Sequence, residues 1–174
     1  MTNAGLASSR IRVQRSSWLP VELRRGDLFA DETIPALAHG CNCTGSMGRG
    51  IAVEFRNRWP AMYEAYRGEC KAGRFRPGTV FVWSEPDVTI FNLATQPFPG
   101  PCARLEFIHD SLEEAVRIAE SRAISLMGMP KIGAGHGGLE WTEVKRILDA
   151  IGAETEVLLA VYEGRHDHGV SRPH

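Results

Sequence analysis

Residues 36–59 read ALAHGCNCTGSMGRGIAVEFRNRW, and this stretch decides the architecture of the chain. A mostly apolar run over 34–41 predicts a strand that is buried on both faces. A glycine-rich loop follows, and residues 48–59 then carry apolar side chains at helical spacing. A strand, a loop and a helix in this order place the loop at the carboxyl end of a strand, where α/β folds bind their ligands.

A second glycine-rich loop lies near the other end of the chain, where residues 130–141 read PKIGAGHGGLEW. It leaves a predicted strand over 123–129 and enters a predicted helix over 140–151. Glycines let backbone N–H groups approach a ligand closely, and a helix N-terminus favours phosphate. Two such loops facing one cleft suit a diphosphate. Neither loop has the Walker A or dinucleotide-binding pattern, so the residues alone indicate a phosphate-containing small molecule.

The rest of the chain alternates between strand and helix patterns. Further strands are predicted over 18–24, 79–83, 88–93 and 156–162, and further helices over 60–70 and 104–121. Pro60 fits the first position of its helix. This alternation predicts a layered α/β fold with a largely parallel or mixed sheet.

The bulk properties of the 174 residues favour one domain over 17–163, between a flexible extension over 1–16 and a flexible tail over 164–174. A net charge of −1 gives no support for nucleic acid as a partner. No apolar run reaches the roughly 18 residues that a membrane span needs. The sequence therefore predicts a protein without a membrane partner, and we expect a monomer.

Four cysteines occur at positions 41, 43, 70 and 102, and none forms a Cys-x-x-Cys pair. Reduced thiols in the cytoplasm are the expected state. No group of side chains has convincing metal-ligand spacing, so we predict no metal site. The histidines at 166, 168 and 174 belong to the predicted tail.

Four segments in a fixed order resemble the macrodomain family. They are Gly26-Asp27-Leu28, the first glycine-rich loop with its helix (39–60), the second loop (129–141) and Val161-Tyr162. The resemblance covers about residues 18–163. It implies a three-layer α/β/α fold with a mixed central sheet. It also implies ADP-ribose as ligand or product, ADP-ribosylated proteins as partners, and no cofactor.

The resemblance also implies which residues bind the ligand. Asp27 would accept a hydrogen bond from the adenine amino group, Tyr162 would pack on adenine, and Asn42 would hold ribose hydroxyls. The implied ligand-binding residues are Asp27, Leu28, Asn42, Gly48, Gly50, Ile51, Ala52, Ile132, Gly133, Ala134, Gly135, His136, Gly137, Gly138, Leu139 and Tyr162.

Some residues have a second interpretation that the sequence leaves open. Asp27 equally fits a cap on the following turn, and Asn42 fits a turn residue. His39 ends an apolar strand and also fits a histidine of the core. Tyr162 fits the core as well as an adenine contact, and Arg49 fits either a phosphate contact or a solvated side chain.

Within the family, the segments 47–52 and 137–141 resemble the branch of the vertebrate terminal ADP-ribose glycohydrolase and its bacterial antitoxin relatives. The segment 39–46 is closer to the ADP-ribose-1″-phosphate phosphatase. The first likeness implies an enzyme that removes ADP-ribose from protein carboxylates. The second implies a phosphatase, and a reader without catalysis is the third possibility.

The glycohydrolase branch implies a catalytic lysine at a place that falls here on Thr95 or Gln96, and an acid where Gly137 or His136 stands. A glutamine cannot form a Schiff base, so a route through water is the alternative. In that route His136 or His39 acts as base and Asn42 holds the ribose. The candidate catalytic residues are thus Asn42, His136, His39 and Gln96.

Overall fold

The computed structural model describes residues 21–164, and all helices and strands lie within that range. The predicted extension over 1–16, the start of the first predicted strand and the tail from residue 165 lie outside the described residues. The strands are β1 (Val21–Arg25), β2 (Ala36–Asn42), β3 (Val80–Ser84), β4 (Thr89–Gln96), β5 (Leu126–Met129) and β6 (Leu158–Glu163). The helices are α1 (Ile51–Arg58), α2 (Pro60–Lys71), α3 (Leu105–Ser121) and α4 (Trp141–Ala153).

The six strands form one sheet in the order β1-β6-β5-β2-β4-β3. All neighbouring strands are parallel except β3, which pairs antiparallel with β4. The mixed sheet is therefore confirmed, and each predicted helix and strand is present with small shifts of its ends. The short 3-10 helix Leu28–Ala30 was not predicted. None of the described helices has the length and apolar character that crossing a bilayer requires.

Helices cover both faces of the sheet, which confirms the three layers. Alternate residues of β2 point to opposite faces: Ala36 and Ala38 pack with α3 and α4, whereas Leu37 and Cys41 pack with α1 and α2. This explains the continuous apolar run in the sequence, because a strand between two layers needs apolar side chains on both faces.

A β-bulge shapes the carboxyl edge of the sheet between β2 and β4. Cys41 pairs with Ala94, but the next residue, Asn42, pairs with Gln96. Thr95 is therefore the extra residue on β4, and its side chain is buried. A bulge increases the local twist and redirects side chains. Here it brings Asn42 and Gln96 side by side where both strands end.

Candidate ligand-binding cleft

A cleft of about 810 Å³ opens at the carboxyl edge of the sheet, between the two glycine-rich loops. The ends of β4 and β6 complete it. Its lining residues are 40–42, 46–52, 95–96, 99–100, 130–137 and 162–164. The sequence prediction that both loops face one cleft agrees with this arrangement. The described residues contain no cluster of side chains suited to a metal ion.

The side chain of Asn42 shapes the first loop. Its Oδ1 accepts hydrogen bonds from the backbone N–H of Thr44 at 3.1 Å and of Ser46 at 3.3 Å. Its Nδ2 donates to the carbonyl of Ser46 at 2.8 Å. The Tyr66 hydroxyl donates to the backbone carbonyl of Asn42 at 2.7 Å. The turn interpretation of Asn42 thus fits the geometry, and one amide N–H remains for a ligand.

The first loop ends at an uncapped helix N-terminus. Gly50 precedes α1 with φ +58° and ψ −145°, a conformation that favours glycine and that ends the loop two residues later than predicted. Within residues 21–164, no acceptor is hydrogen-bonded to the backbone N–H groups of Ile51 and Ala52. Free N–H groups at a helix N-terminus bind anions well, and these two line the cleft.

The second loop is packed tightly against its surroundings. Gly133 has φ +72°, and a Cβ there would lie 2.6 Å from Cδ1 of Ile108 on α3. Its carbonyl accepts from the N–H of Leu139 at 2.9 Å. The N–H groups of Gly135, His136 and Gly137 donate to no other described residue. The loop is thus fixed in shape while three donors in the cleft lining stay available.

The two loops touch across the cleft through His136 and Gly50. A Cβ placed on Gly50 would lie 3.0 Å from Cδ2 of His136 and 3.2 Å from its Nε2. His136 itself is exposed. Its imidazole therefore spans the mouth of the cleft above the free N–H groups of both loops.

Gln96 lies at the floor of the cleft with its amide nitrogen already used. Nε2 donates to the carbonyls of Phe98 at 2.6 Å and Gly100 at 2.9 Å. Both N–H bonds of the amide therefore hold the loop that follows β4, and only Oε1 is left to face a substrate or a water. The neighbour in the alternative lysine position, Thr95, is buried beside Gly40.

His39, a candidate base in the sequence, lies outside the cleft. It is fully buried, and its Nε2 lies 2.7 Å from Oδ1 of Asn92. Asn92 donates through Nδ2 to the carbonyl of Phe81, so its Oδ1 is the acceptor and His39 Nε2 carries the proton. Burial lowers the pKa of His39 from 6.5 to about 4. The structure thus favours the core interpretation, because the packed ring cannot reach a substrate.

The end of the cleft at β6 contains Tyr162, as the resemblance implied. Its hydroxyl donates to Oδ2 of Asp31 at 2.6 Å and accepts from Arg24 at 3.0 Å. These bonds fix the ring, and burial is the main cause that raises the pKa of Tyr162. Hydrogen bonds from Thr33 and Tyr162 lower the pKa of Asp31 to about 2. Neither Asp31 nor Arg24 was singled out in the sequence, since nothing in their local pattern marks them.

Four predicted ligand-binding residues do not line the cleft. Asp27 is exposed and caps the 3-10 helix by accepting from the N–H of Phe29 at 2.9 Å. Leu28 is buried in the core. Gly138 and Leu139 lie just beyond the lining part of the second loop. Asp27 nevertheless adjoins the cleft, because Gly26 packs directly against Gly164 of the lining.

Two cationic side chains line the cleft in different states. Lys131 pairs with Glu163 at 2.8 Å and lies 5.5 Å from the centre of the Trp141 ring. Arg49 forms no ion pair with any residue between 21 and 164. An unpaired guanidinium beside free N–H groups favours an anionic ligand such as phosphate.

Comparison with known proteins agrees with this geometry. The Macro domain family model matches residues 38–148. A DNA ADP-ribosyl glycohydrolase of Thermus aquaticus is 37% identical over 80% of this chain and 40% of its own length. An ADP-ribose 1″-phosphate phosphatase of Candida albicans is 31% identical over 74% of this chain and 91% of its own.

Solved structures give the same picture. The macrodomain of Mycobacterium tuberculosis DarG superposes with a TM-score of 0.75 and 31% identity, covering 82% of this chain and 96% of that one. The chain thus spans nearly all of a solved macrodomain, but only about 40% of the Thermus aquaticus glycohydrolase that it matches.

Proposed function

The chain belongs to the macrodomain family, and we propose that it binds ADP-ribose in the cleft and hydrolyses its bond to a modified macromolecule. One observation carries the proposal. Free backbone N–H groups from both glycine-rich loops line a single cleft, which His136 and Gly50 close at the mouth. Donors converging from two loops suit a diphosphate, whose two phosphates need several N–H partners at once.

The strand order orients the proposed ligand. The diphosphate would lie between the loops, beside Arg49. Adenine would lie toward Tyr162 and Asp27, at the end of the cleft next to β6 and β1. The distal ribose would then lie at the other end, over Asn42 and Gln96, because β2 and β4 lie on the opposite side of β5. The remaining N–H of Asn42 is available for a ribose hydroxyl.

The proposed chemistry uses water, because the position of the family lysine holds Gln96. Water would attack C1″ of the distal ribose, its oxygen would form the new bond to C1″, and the bond from C1″ to the macromolecule would break. His136 would take the proton of the water, and the leaving group would receive a proton in turn. Gln96 Oε1 and Asn42 would hold the water and the ribose in place.

Relatives guide the choice of substrate. The Thermus aquaticus relative is named for the removal of ADP-ribose from DNA, so we place ADP-ribosylated DNA first. The carboxylate-linked protein substrate that the sequence resemblance implied is the second substrate to test. ADP-ribose-1″-phosphate is the third, since the Candida albicans relative is named for its hydrolysis.

A reader without catalysis is the second candidate function. The observation that favours it is the state of Gln96, whose amide is held by two loop carbonyls and which carries no nucleophile. Such a protein would bind ADP-ribose through the same loops and leave the substrate intact.

The discriminating experiment is a parallel turnover assay. The full chain is incubated with an ADP-ribosylated oligonucleotide, a glutamate-linked ADP-ribosyl protein and ADP-ribose-1″-phosphate, and the products are resolved by chromatography. Free ADP-ribose from either macromolecule supports the hydrolase. Intact substrates together with calorimetric binding of ADP-ribose support the reader, and absence of binding contradicts both.

A further inference from the structure

The loop that follows β4 presents one aromatic ring to solvent at the rim of the cleft. Phe98 is 64% exposed, and it and Leu23 are the exposed large hydrophobic residues of the described chain. A single exposed apolar side chain is ordinary. The position of Phe98, the stiffness of its loop and the groups around it are what distinguish it.

Phe98 sits on a segment that has little freedom to move. Residues 97–101 read PFPGP, and each proline fixes its own φ. The carbonyl of Phe98 accepts from Gln96 Nε2 at 2.6 Å and from the Cys102 thiol at 3.0 Å. The N–H of Cys43 donates to the carbonyl of Pro97 at 3.3 Å, which ties the segment to the first loop. An exposed ring on such a segment loses little entropy when a ligand packs on it.

The ring stands at the end of the cleft where the substrate would leave it. Gln96, Pro99 and Gly100 line the cleft on either side of Phe98 in the sequence. This end lies beyond the distal ribose of the proposed orientation, opposite Tyr162. The group attached to C1″ must therefore pass close to Phe98.

The segment offers a flat ring but few partners for a peptide backbone. Its three prolines have no N–H, and the carbonyls of Phe98 and Gly100 are already hydrogen-bonded. Recognition of an extended peptide depends on backbone hydrogen bonds. A nucleobase needs only a π face, and stacking on an exposed aromatic side chain is a common way of holding single-stranded nucleic acid.

We infer that Phe98 is the base-stacking residue of this site, which packs on the nucleobase attached to or next to the ADP-ribose of a single-stranded DNA substrate. The inference rests on the proposed function for the placement of the distal ribose. It also agrees with the net charge of −1. A surface without a cationic excess gives little sequence-independent affinity for DNA, so contacts with the ligand and one base must supply the recognition.

The test compares the modified oligonucleotide with free ADP-ribose. The wild type and the variants Phe98→Ala, Phe98→Trp and Leu23→Ala are titrated with a single-stranded oligonucleotide carrying one ADP-ribosylated base, and separately with ADP-ribose. Where turnover occurs, kcat/KM replaces the dissociation constant for the oligonucleotide. Leu23→Ala removes the other exposed apolar side chain and is the matched control.

We expect Phe98→Ala to weaken the oligonucleotide about tenfold or more while the affinity for ADP-ribose stays within twofold. Phe98→Trp keeps the wild-type preference, and Leu23→Ala changes neither value. An unchanged oligonucleotide preference in Phe98→Ala overturns the inference. An equal loss on a glutamate-linked ADP-ribosyl peptide does so as well. If the wild type binds the oligonucleotide without cleaving it, the proposed hydrolase fails, and the binding ratio still tests Phe98.

Discussion

The imidazole of His39 stacks on the ring of Phe55, with centroids 3.8 Å apart and planes only 5° from parallel. His39 belongs to β2 and Phe55 to α1, so the pair joins the two elements on either side of the first glycine-rich loop. Both side chains are fully buried. The loop is therefore anchored at both ends in the core, while its own glycines remain at the cleft.

Removing the aromatic half of this pair should destabilise the protein. Phe55→Ala leaves a cavity beneath the loop, and we expect the free energy of unfolding to fall by about 3–5 kcal/mol in urea titrations. Phe55→Leu refills most of the volume and serves as the control with a smaller loss. A change below about 1 kcal/mol for Phe55→Ala would mean that the site collapses freely.

The acid stability of the protein should depend on His39. Its pKa is 6.5 when unperturbed and about 4 in the folded protein. Between those values the unfolded chain binds a proton that the folded protein does not, so the free energy of unfolding falls as the pH drops. The full effect is about 3 kcal/mol at the low end of this window.

The variant His39→Gln cannot titrate, and we expect its stability to fall less steeply from pH 6.5 to 4. Urea unfolding at several pH values measures the slope. His109→Gln is the matched control, because His109 lies exposed on α3 beside Asp110. Equal slopes for His39→Gln and the wild type would show that other groups cause the acid loss.

The second loop can be blocked without disturbing the fold. A Cβ on Gly135 would meet no heavy atom within 4 Å, and its φ is not positive. Gly135→Leu should therefore fold normally and abolish ADP-ribose binding by filling the cleft. Gly68→Leu is the control, since Gly68 is equally open but lies on α2. Calorimetry and thermal melting separate binding from folding, and unchanged affinity in Gly135→Leu would remove the diphosphate from this loop.

His136 should affect turnover more than binding. If it takes the proton of the attacking water, His136→Ala lowers kcat by about 10²- to 10⁴-fold. Its effect on the affinity for ADP-ribose should stay within about tenfold. A loss of binding that accounts for the whole loss of activity would instead assign His136 to holding the ligand.

Catalysis should leave no covalent adduct on the protein. Gln96 has no amine, and Lys131, the one lysine among the described lining residues, is ion-paired with Glu163 at the other end of the cleft. Borohydride added during turnover should therefore trap nothing that mass spectrometry detects. An adduct that disappears in Lys131→Met would contradict the route through water.

Periodicity and glycine placement predicted most of the fold. The apolar run before Asn42 and the amphipathic pattern of α3 each reflect burial, which the sequence records directly. The 3-10 helix after Asp27 was missed because three residues are too few to show a period. The start of α1 was placed too early because the unusual ψ of Gly50 leaves no mark in the sequence.

The site was harder to predict than the fold because its contacts join distant parts of the chain. The bulge at Thr95 that brings Asn42 beside Gln96 depends on strand pairing, and the contact of His136 with Gly50 depends on the positions of two loops. His39 looked like a candidate base because a strand end near a loop does not reveal that Phe55 covers the ring.

The central claim is that this cleft hydrolyses a bond to ADP-ribose without a lysine. The most direct measurement is the time course of ADP-ribose release from an ADP-ribosylated oligonucleotide, with the glutamate-linked protein run beside it. It uses equal concentrations of the wild type and Gly135→Leu. We predict that the wild type releases free ADP-ribose from at least one substrate and that Gly135→Leu releases none. Substrates that stay intact with the wild type, under conditions where calorimetry still detects ADP-ribose binding, would contradict the claim.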